Sequence, residues 1–396
     1  MREVAPGAPA AAGQVPLCVP EVGETERAFV DETIRTGWVS SAGPFVDRFE
    51  GAAADVVGAR HAIATTSGTA ALHVALLLAG VGPGDEVPVS TLTFIAPANA
   101  IRYVGAHPVF VDAEPEYWQI DAEKLRSFLE RECERRAEGV VNRRTGRRVA
   151  ALLPVSILGH PYDADSIREL AREFGLPVVE DAAEGLGARY RDVPVGRLGD
   201  LSALSFNGNK IVTSGGGGML LTDDDGLADR ARYLTTTAKD DPIEYVHGAV
   251  GFNYRLSNVH AALGYGQLLR LGAFVEDKRR IAAAYAQGLD GVPGITLMPE
   301  APWAFSTYWM LTVLVDEQAF GMDSRLLLRS LAASGIQTRP IWQPMHRSPA
   351  HAGAQATPCD VAERLHARAI SLPCSVSLTP EDQARVIEAI RGAASA

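Results

Sequence analysis

Lys210 is the residue of this chain best placed to do covalent chemistry. It follows an apolar, strand-like run, Leu201 to Phe206, and precedes four consecutive glycines, Gly215 to Gly218. Four glycines in a row cannot make a stiff element, so the backbone there must take unusual dihedrals or approach something closely. A lysine held by such a turn, just past a buried strand, can reach into a cavity and lose water. Desolvation makes an amine a better nucleophile, the property a Schiff-base lysine needs. By itself the pattern also fits an exposed loop lysine, the commoner case.

A second stretch changes that balance. Leu176-Pro177-Val178-Val179-Glu180-Asp181 reads as a short parallel strand ending in two carboxylates. Ligands of open α/β sheets bind beyond the carboxyl ends of the strands, where Asp181 would stand. A buried carboxylate there would keep a pyridine nitrogen protonated, as pyridoxal phosphate (PLP) requires to act as an electron sink. A third stretch, His61 to Leu72, reads as an apolar strand that breaks at Ser67-Gly68 and starts a helix. Its free amides and the Ser67 and Thr69 hydroxyls would make an anion site, or a plain helix cap. Phe94, at the end of the strand Glu86 to Phe94, could stack on a heteroaromatic ring or sit in the core.

The elements that must position these residues alternate. Short strands are expected at Val109 to Asp112 and from Val149 to Val155. Helices are expected over Glu24 to Thr36, Asn99 to Val104, Asp121 to Leu129 and Asp165 to Phe174. This is the pattern of an α/β domain with a mostly parallel sheet. One long helix from Val259 towards Tyr285 leads into a smaller α+β domain with a strand at Tyr308 to Val315 and helices Ser324 to Ser334 and Pro380 to Ile390. The expected organisation is a disordered small-residue and proline tail over 1–14, a large domain over 15–265 and a small domain over 266–396. The arginine-rich run Arg131 to Arg148, with a turn at Asn142 to Gly146, reads as a solvated excursion from the surface.

Composition sets the class. The chain has 396 residues, 37 basic and 48 acidic, for a formal charge of −11. That charge argues against nucleic acid or an anionic membrane as a bulk partner, so phosphates must be held by local donors. Cys18, Cys133, Cys359 and Cys374 have neither zinc nor redox-motif spacing and read as ordinary thiols of a reducing cytoplasm. No signal-like start and no long apolar run is present, so a cytoplasmic location is expected. No metal is expected. The absence of a GxGxxG fingerprint removes support for a nicotinamide-dependent oxidoreductase.

Five motifs then occur in order: Thr66-Ser67-Gly68-Thr69-Ala70-Ala71-Leu72, Gly82-Pro83-Gly84-Asp85-Glu86-Val87, Glu180-Asp181-Ala182-Ala183-Glu184, Ser205-Phe206 with Lys210 and its glycines, and Asn253-Tyr254-Arg255-Leu256-Ser257-Asn258. Together they resemble the DegT/DnrJ/EryC1/StrS sugar aminotransferases, of PLP fold type I (aspartate aminotransferase-like), over residues 16–394. Phe206 to Lys210, the insertion Asn142 to Arg148 and Arg339 to His346 are similar to the branch of the legionaminic-acid pathway and its bacillosamine and perosamine relatives.

The resemblance implies roles. Lys210 would form the Schiff base and carry the proton between cofactor and substrate carbons. Asp181 would pair with the pyridinium nitrogen, Glu184 would contact the phenolic oxygen and Phe94 would stack on the ring. Gly68, Thr69 and Ser205 would hold the phosphate, joined by Asn253 of a neighbouring subunit in a homodimer with shared active sites. His160, Arg255, Trp342 and His346 are the substrate-side candidates. Ser156 departs from the family pattern, standing where many relatives carry histidine. Lysine at 210, where dehydrating relatives have histidine, implies transamination. The expected reaction moves an amino group from glutamate, or glutamine, to C4 of a nucleotide-linked 4-keto-6-deoxy sugar through PLP and its pyridoxamine form. The alternatives are a 3-keto sugar, keto-octulosonate, cyclitol or ketonucleoside as acceptor, and a non-catalytic PLP-fold partner protein.

Overall fold

The computed structural model describes residues 13–137, 139–241 and 243–394; of the tail expected over 1–14, all but Gly13 and Gln14 lie outside the described residues. Short apolar runs form the sheet, as their burial on both faces demands. His61–Thr65 pairs antiparallel with Gly218–Thr222, which pairs antiparallel with Leu201–Ser205. Leu201–Ser205 lies parallel to Val179–Asp181. Residues 152–155 then continue the sheet, bridging in parallel to Val178 and Asp181 on one side and to Val89 on the other. Glu86–Ser90 and His107–Val111 complete it in parallel. Gly218–Thr222 is thus the strand that opposes its neighbours, and the parallel strands end at Thr65, Ser90, Asp181 and Ser205. Their carboxyl ends open towards one region.

Helix Gly68–Leu78 packs over Leu201–Ser205 and Gly218–Thr222. Its residues 70–76 are all buried, as expected of a helix apolar on every side. Helix Glu24–Thr36 has the predicted bounds. Glu26 accepts from the Gly23 amide (2.9 Å) at its start, and Gly37 (φ 78°) closes it in the left-handed conformation.

One expectation is corrected. The helix expected to run on from Val259 is two, Asn258–Leu268 and Leu271–Leu289. The break at Arg270 (φ −102°, ψ 0°) lets its guanidinium pair with Glu21 and Glu26, while Gln267 donates to Glu26 (2.8 Å). The arginine-rich run is solvated as expected, with Arg131, Arg135, Arg136, Arg143 and Arg144 exposed and the turn at 142–146, and its strands draw in as an extension of the sheet: Cys133–Arg136 pairs with Gly139–Asn142, which pairs with Arg148–Val149 beside Glu86. Asn142 is buried there and donates to Glu86 (2.7 Å) and Gln355 (2.9 Å), which explains the inward pull. The chain at residues 15–17 runs against the C-terminal portion. Val15 bridges Ile336 in parallel, and the Cys374 amide donates to the Leu17 carbonyl (2.8 Å).

The C-terminal portion holds the antiparallel strands Ile295–Leu297, Thr312–Val315, Ala369–Ser371 and Arg339–Pro340, in that order across the sheet. Helix Ser324–Ala333 packs on it, and Pro380–Ala394 packs against Ser324–Ala333 and Leu271–Leu289. Among the described residues, no helix is long and apolar enough to cross a membrane.

Candidate active site

A cavity of about 730 Å³ lies beyond the carboxyl ends of the parallel strands, closed on its far side by Trp309, Met310, Arg339, Trp342 and Ser371. The strand His61–Thr65 delivers the Ser67 turn to its floor. The Ser67 hydroxyl accepts from the Ala70 amide (3.1 Å) and caps helix Gly68–Leu78. Gly68, Thr69 and Ser205 line the same cavity. Two glycines permit this approach. A Cβ on Gly68 would lie 2.9 Å from the Ser205 Cβ, and one on Gly218 would overlap the Ser67 carbonyl carbon and lie 2.5 Å from the Gly68 nitrogen. Glycine in the run after Lys210 therefore answers two demands, close packing at Gly218 and a positive φ of 78° at Gly215.

Lys210 sits in the loop after Leu201–Ser205, held where its backbone amide donates to the Asn207 carbonyl (3.0 Å). Its Nζ lies 3.6 Å from Glu184 Oε1 and 4.2 Å from the centre of the Trp309 ring. Trp309 in turn donates from Nε1 to the Asn209 carbonyl (2.7 Å). Asp181 ends its strand on the cavity wall, 3% exposed, with one oxygen accepting from the Ala183 amide (3.0 Å). Burial pushes its carboxyl up to about 6, against the pull of that amide and of the Lys210 charge. Glu184 accepts from the Leu158 amide (2.9 Å), and burial pushes it up to about 7 despite the Lys210 charge. Phe94 is 54% exposed and borders the cavity.

The geometry thus brings Gly68, Thr69, Phe94, Asp181, Glu184, Ser205, Lys210 and Trp342 to one cavity. It can present an amine beside a carboxyl that exchanges protons near neutrality, a second carboxylate for a cation, and free amides for an anion. PLP has these needs: an aldehyde for the amine, a ring nitrogen for Asp181 and a phosphate for the helix start. The residues present fit it.

Four candidates lie elsewhere. His160 is 1% exposed, donates from Nδ1 to the Pro161 carbonyl (2.7 Å), accepts at Nε2 from the Ala301 amide (3.1 Å) and stacks on Tyr117. Both nitrogens are spent in the interior, and burial holds the ring neutral, down to about 4. His346 is likewise occupied, by Thr91 (2.8 Å) and Glu363 (3.1 Å). Arg255 bridges Thr65 through its backbone, outside the cavity wall. Asn253 bridges Thr236 and is exposed on this chain's surface. Ser156 is buried with no partner for its hydroxyl among the described residues. Trp309, Asn207, Asn209 and Arg339 line the cavity unforeseen. The aromatic pair Tyr308-Trp309, heading an otherwise aliphatic run, was the available signal.

The sequence profile of the DegT/DnrJ/EryC1/StrS aminotransferase family matches residues 20–391. GDP-perosamine synthase of Caulobacter vibrioides is 39% identical over 378 residues, 95% of this chain and 97% of that protein. The putative pyridoxal phosphate-dependent aminotransferase EpsN of Bacillus subtilis is 36% identical over 94% of each chain. The crystal structure of DesI in the presence of its TDP-sugar product superposes with a TM-score of 0.87 at 30% identity, covering 98% of this chain and 95% of that one. A shared profile across nearly the whole length, together with a lysine, two buried carboxylates and a helix start in one cavity, leads to one conclusion: the chain belongs to the DegT/DnrJ/EryC1/StrS aminotransferase family.

Proposed function

We propose that this PLP-dependent sugar aminotransferase transfers an amino group from glutamate to C4 of a nucleotide-linked 4-keto-6-deoxy sugar, with Lys210 as the proton-carrying amine. The observation that carries the reading is the convergence of the Lys210 amine, 3.6 Å from Glu184, with Asp181 and the Gly68–Thr69 helix start on one cavity. Bound there, PLP supplies the electron sink that lets an amino group leave one carbon and join another.

The chain's own residues do the rest. The helix start at Gly68 and Thr69, with the Ser205 hydroxyl, binds the phosphate. Asp181, desolvated and short of partners, holds a ring cation opposite it, which brings its own carboxyl back to the ionised state. The Lys210 Nζ takes a proton from the donor's carbon and returns one to the sugar carbon. Glu184, titrating near neutrality at ion-pair distance, holds or releases a proton at Lys210 Nζ as each half-reaction needs. Trp309 limits where that amine can swing and, with Met310, excludes water from the far wall.

The similarity to a GDP-perosamine synthase and to a protein crystallised with a TDP-sugar supports a nucleotide sugar as acceptor. The exposed Phe94 and Asn253, with the exposed apolar side chains Tyr103, Ile243 and Val250, support a homodimer in which the neighbour's Asn253 completes the phosphate site. The four free cysteines support a reducing, cytoplasmic setting. The test is Lys210→Ala. Turnover and the visible absorption of the lysine-bound cofactor should both vanish, and borohydride followed by peptide mapping should tag Lys210 in the unaltered enzyme. Retained turnover would remove the assignment. Mass spectrometry of the product from a 4-keto-6-deoxy nucleotide sugar, run beside its 3-keto isomer, decides the carbon.

A further inference from the structure

Directly behind the wall that carries Asn209 and Trp309, three side chains unused by the transamination are packed together. Lys278 is 2% exposed. Its Nζ donates to the carbonyls of Trp309 (2.8 Å) and Cys374 (2.5 Å) and lies 3.6 Å from the Cys374 sulfur and 3.7 Å from the Cys18 sulfur. Among the described residues, no carboxylate is within ion-pair distance of it. A buried ammonium needs an anion, and the thiols are the groups within reach that can provide one.

The two cysteines come from opposite ends of the chain and meet because the Cys374 amide donates to the Leu17 carbonyl (2.8 Å). The Cys18 thiol donates to the Asn209 carbonyl (3.5 Å), and both sulfurs face the one Lys278 ammonium. The Cys18 hydrogen bond and the Lys278 charge push the Cys374 thiol down to about 6, and the same pairing pushes Cys18 up. Lys278, 3.6 Å from one sulfur and 3.7 Å from the other, is the cation that a thiolate at this place would face.

We propose that Cys18 and Cys374 are a redox pair that a hydroperoxide oxidises to a disulfide, with Lys278 as the residue that positions and charges the attacking sulfur. The Cys374 thiolate attacks a peroxide oxygen. The O–O bond breaks, an S–O bond forms, and hydroxide leaves to be protonated to water. The Cys18 sulfur, giving up its proton, then attacks the oxidised Cys374 sulfur. The S–S bond forms, the S–O bond breaks and a second water leaves. Two thiols lose two electrons and two protons, and one hydrogen peroxide becomes two waters. Access is short: Leu17, next to Cys18, and Met310, whose sulfur is 3.7 Å from that of Cys374, both line the cavity. The consequence reaches the active-site loop, because the bond takes the Cys18 proton from the carbonyl of the residue before Lys210. The proposal goes beyond the reading of these two cysteines as ordinary free thiols. It does not depend on the sugar or donor proposed above.

The test uses the reduced holoenzyme, exposed to hydrogen peroxide, denatured, alkylated and digested. The expected product is a peptide pair joining Cys18 to Cys374, lighter than its parts by two hydrogens and separated again by dithiothreitol. Cys133 and Cys359, buried and each pushed up to about 12, should remain thiols and be alkylated. Lys278→Met should slow the cross-link by roughly tenfold or more through loss of thiolate. Full alkylation of Cys18 and Cys374 after peroxide, a Cys374 adduct to the Lys278 nitrogen, or a Lys278→Met chain that cross-links as fast as the parent would each overturn the proposal. The mapping needs no variant, so a Lys278→Met chain that fails to fold leaves the decision with the unaltered protein.

Discussion

Asp181→Asn separates what the carboxylate costs the fold from what it contributes to the site. Without cofactor, burial raises the Asp181 carboxyl from its usual 3.8 to about 6. The native chain then holds that proton more tightly than the unfolded chain does. Stability is therefore lost as pH rises through about 4 to 6 and is flat above it. The shift of about two units corresponds to about 3 kcal/mol at pH 8 and roughly half that at pH 5. Asparagine keeps the shape and does not ionise. Urea unfolding of the cofactor-free Asp181→Asn chain should show a gain of about 3 kcal/mol at pH 8 that shrinks towards zero near pH 4. The same variant, loaded with cofactor, should bind it more weakly and turn over far more slowly, because no anion faces the ring nitrogen. A gain that is absent, or equal at pH 5 and pH 8, would refute the claim that desolvation sets this carboxyl.

Gly218→Ala should destabilise the chain by about 1–3 kcal/mol and weaken phosphate and cofactor binding, since the new methyl meets the Ser67 backbone and not a flexible side chain. Urea denaturation and cofactor titration read the two effects; an alanine variant with parent values would mean that the strand and the turn are not in contact. His160, held neutral down to about 4, stabilises the fold above its ordinary value of 6.5 and stops doing so as pH falls through that window. In denaturation series from pH 8 to pH 4, the parent should lose about 3 kcal/mol from this group and His160→Asn should lose that component. The substitution should lower stability more than kcat/KM, and a selective rise in KM for the sugar would return His160 to the substrate side.

Much of the cofactor side was legible because its demands are local. A strand that ends in Asp181, a helix that begins at Ser67-Gly68 and a lysine followed by Gly215 to Gly218 each carry their geometry within a few residues. Helix Glu24–Thr36 was readable from Phe29, Val30, Thr33 and Ile34 recurring on one face, and Gly23, Glu26 and Gly37 fix its ends. His160 and His346 were not, because what a histidine does depends on partners far along the chain, here Ala301 and Glu363. The arginine-rich run was rightly read as solvated, but its tie to the sheet was not read, because Asn142 is held by Glu86 and Gln355, far along the chain. The pairing of residues 15–17 with 336 and 374 left no mark in local periodicity.

That last pairing bears on how the protein is made. The sheet from residue 61 to residue 222 can assemble while the ribosome is still adding the C-terminal portion. The cavity cannot, because Leu17 waits for Trp309, Arg339 and Ser371 to complete the enclosure. A nascent chain therefore carries its lysine on a finished platform but under an open roof. Truncation before residue 371 removes part of that lining, and cofactor retention by such a chain beside the full one reads how much the late-made wall contributes.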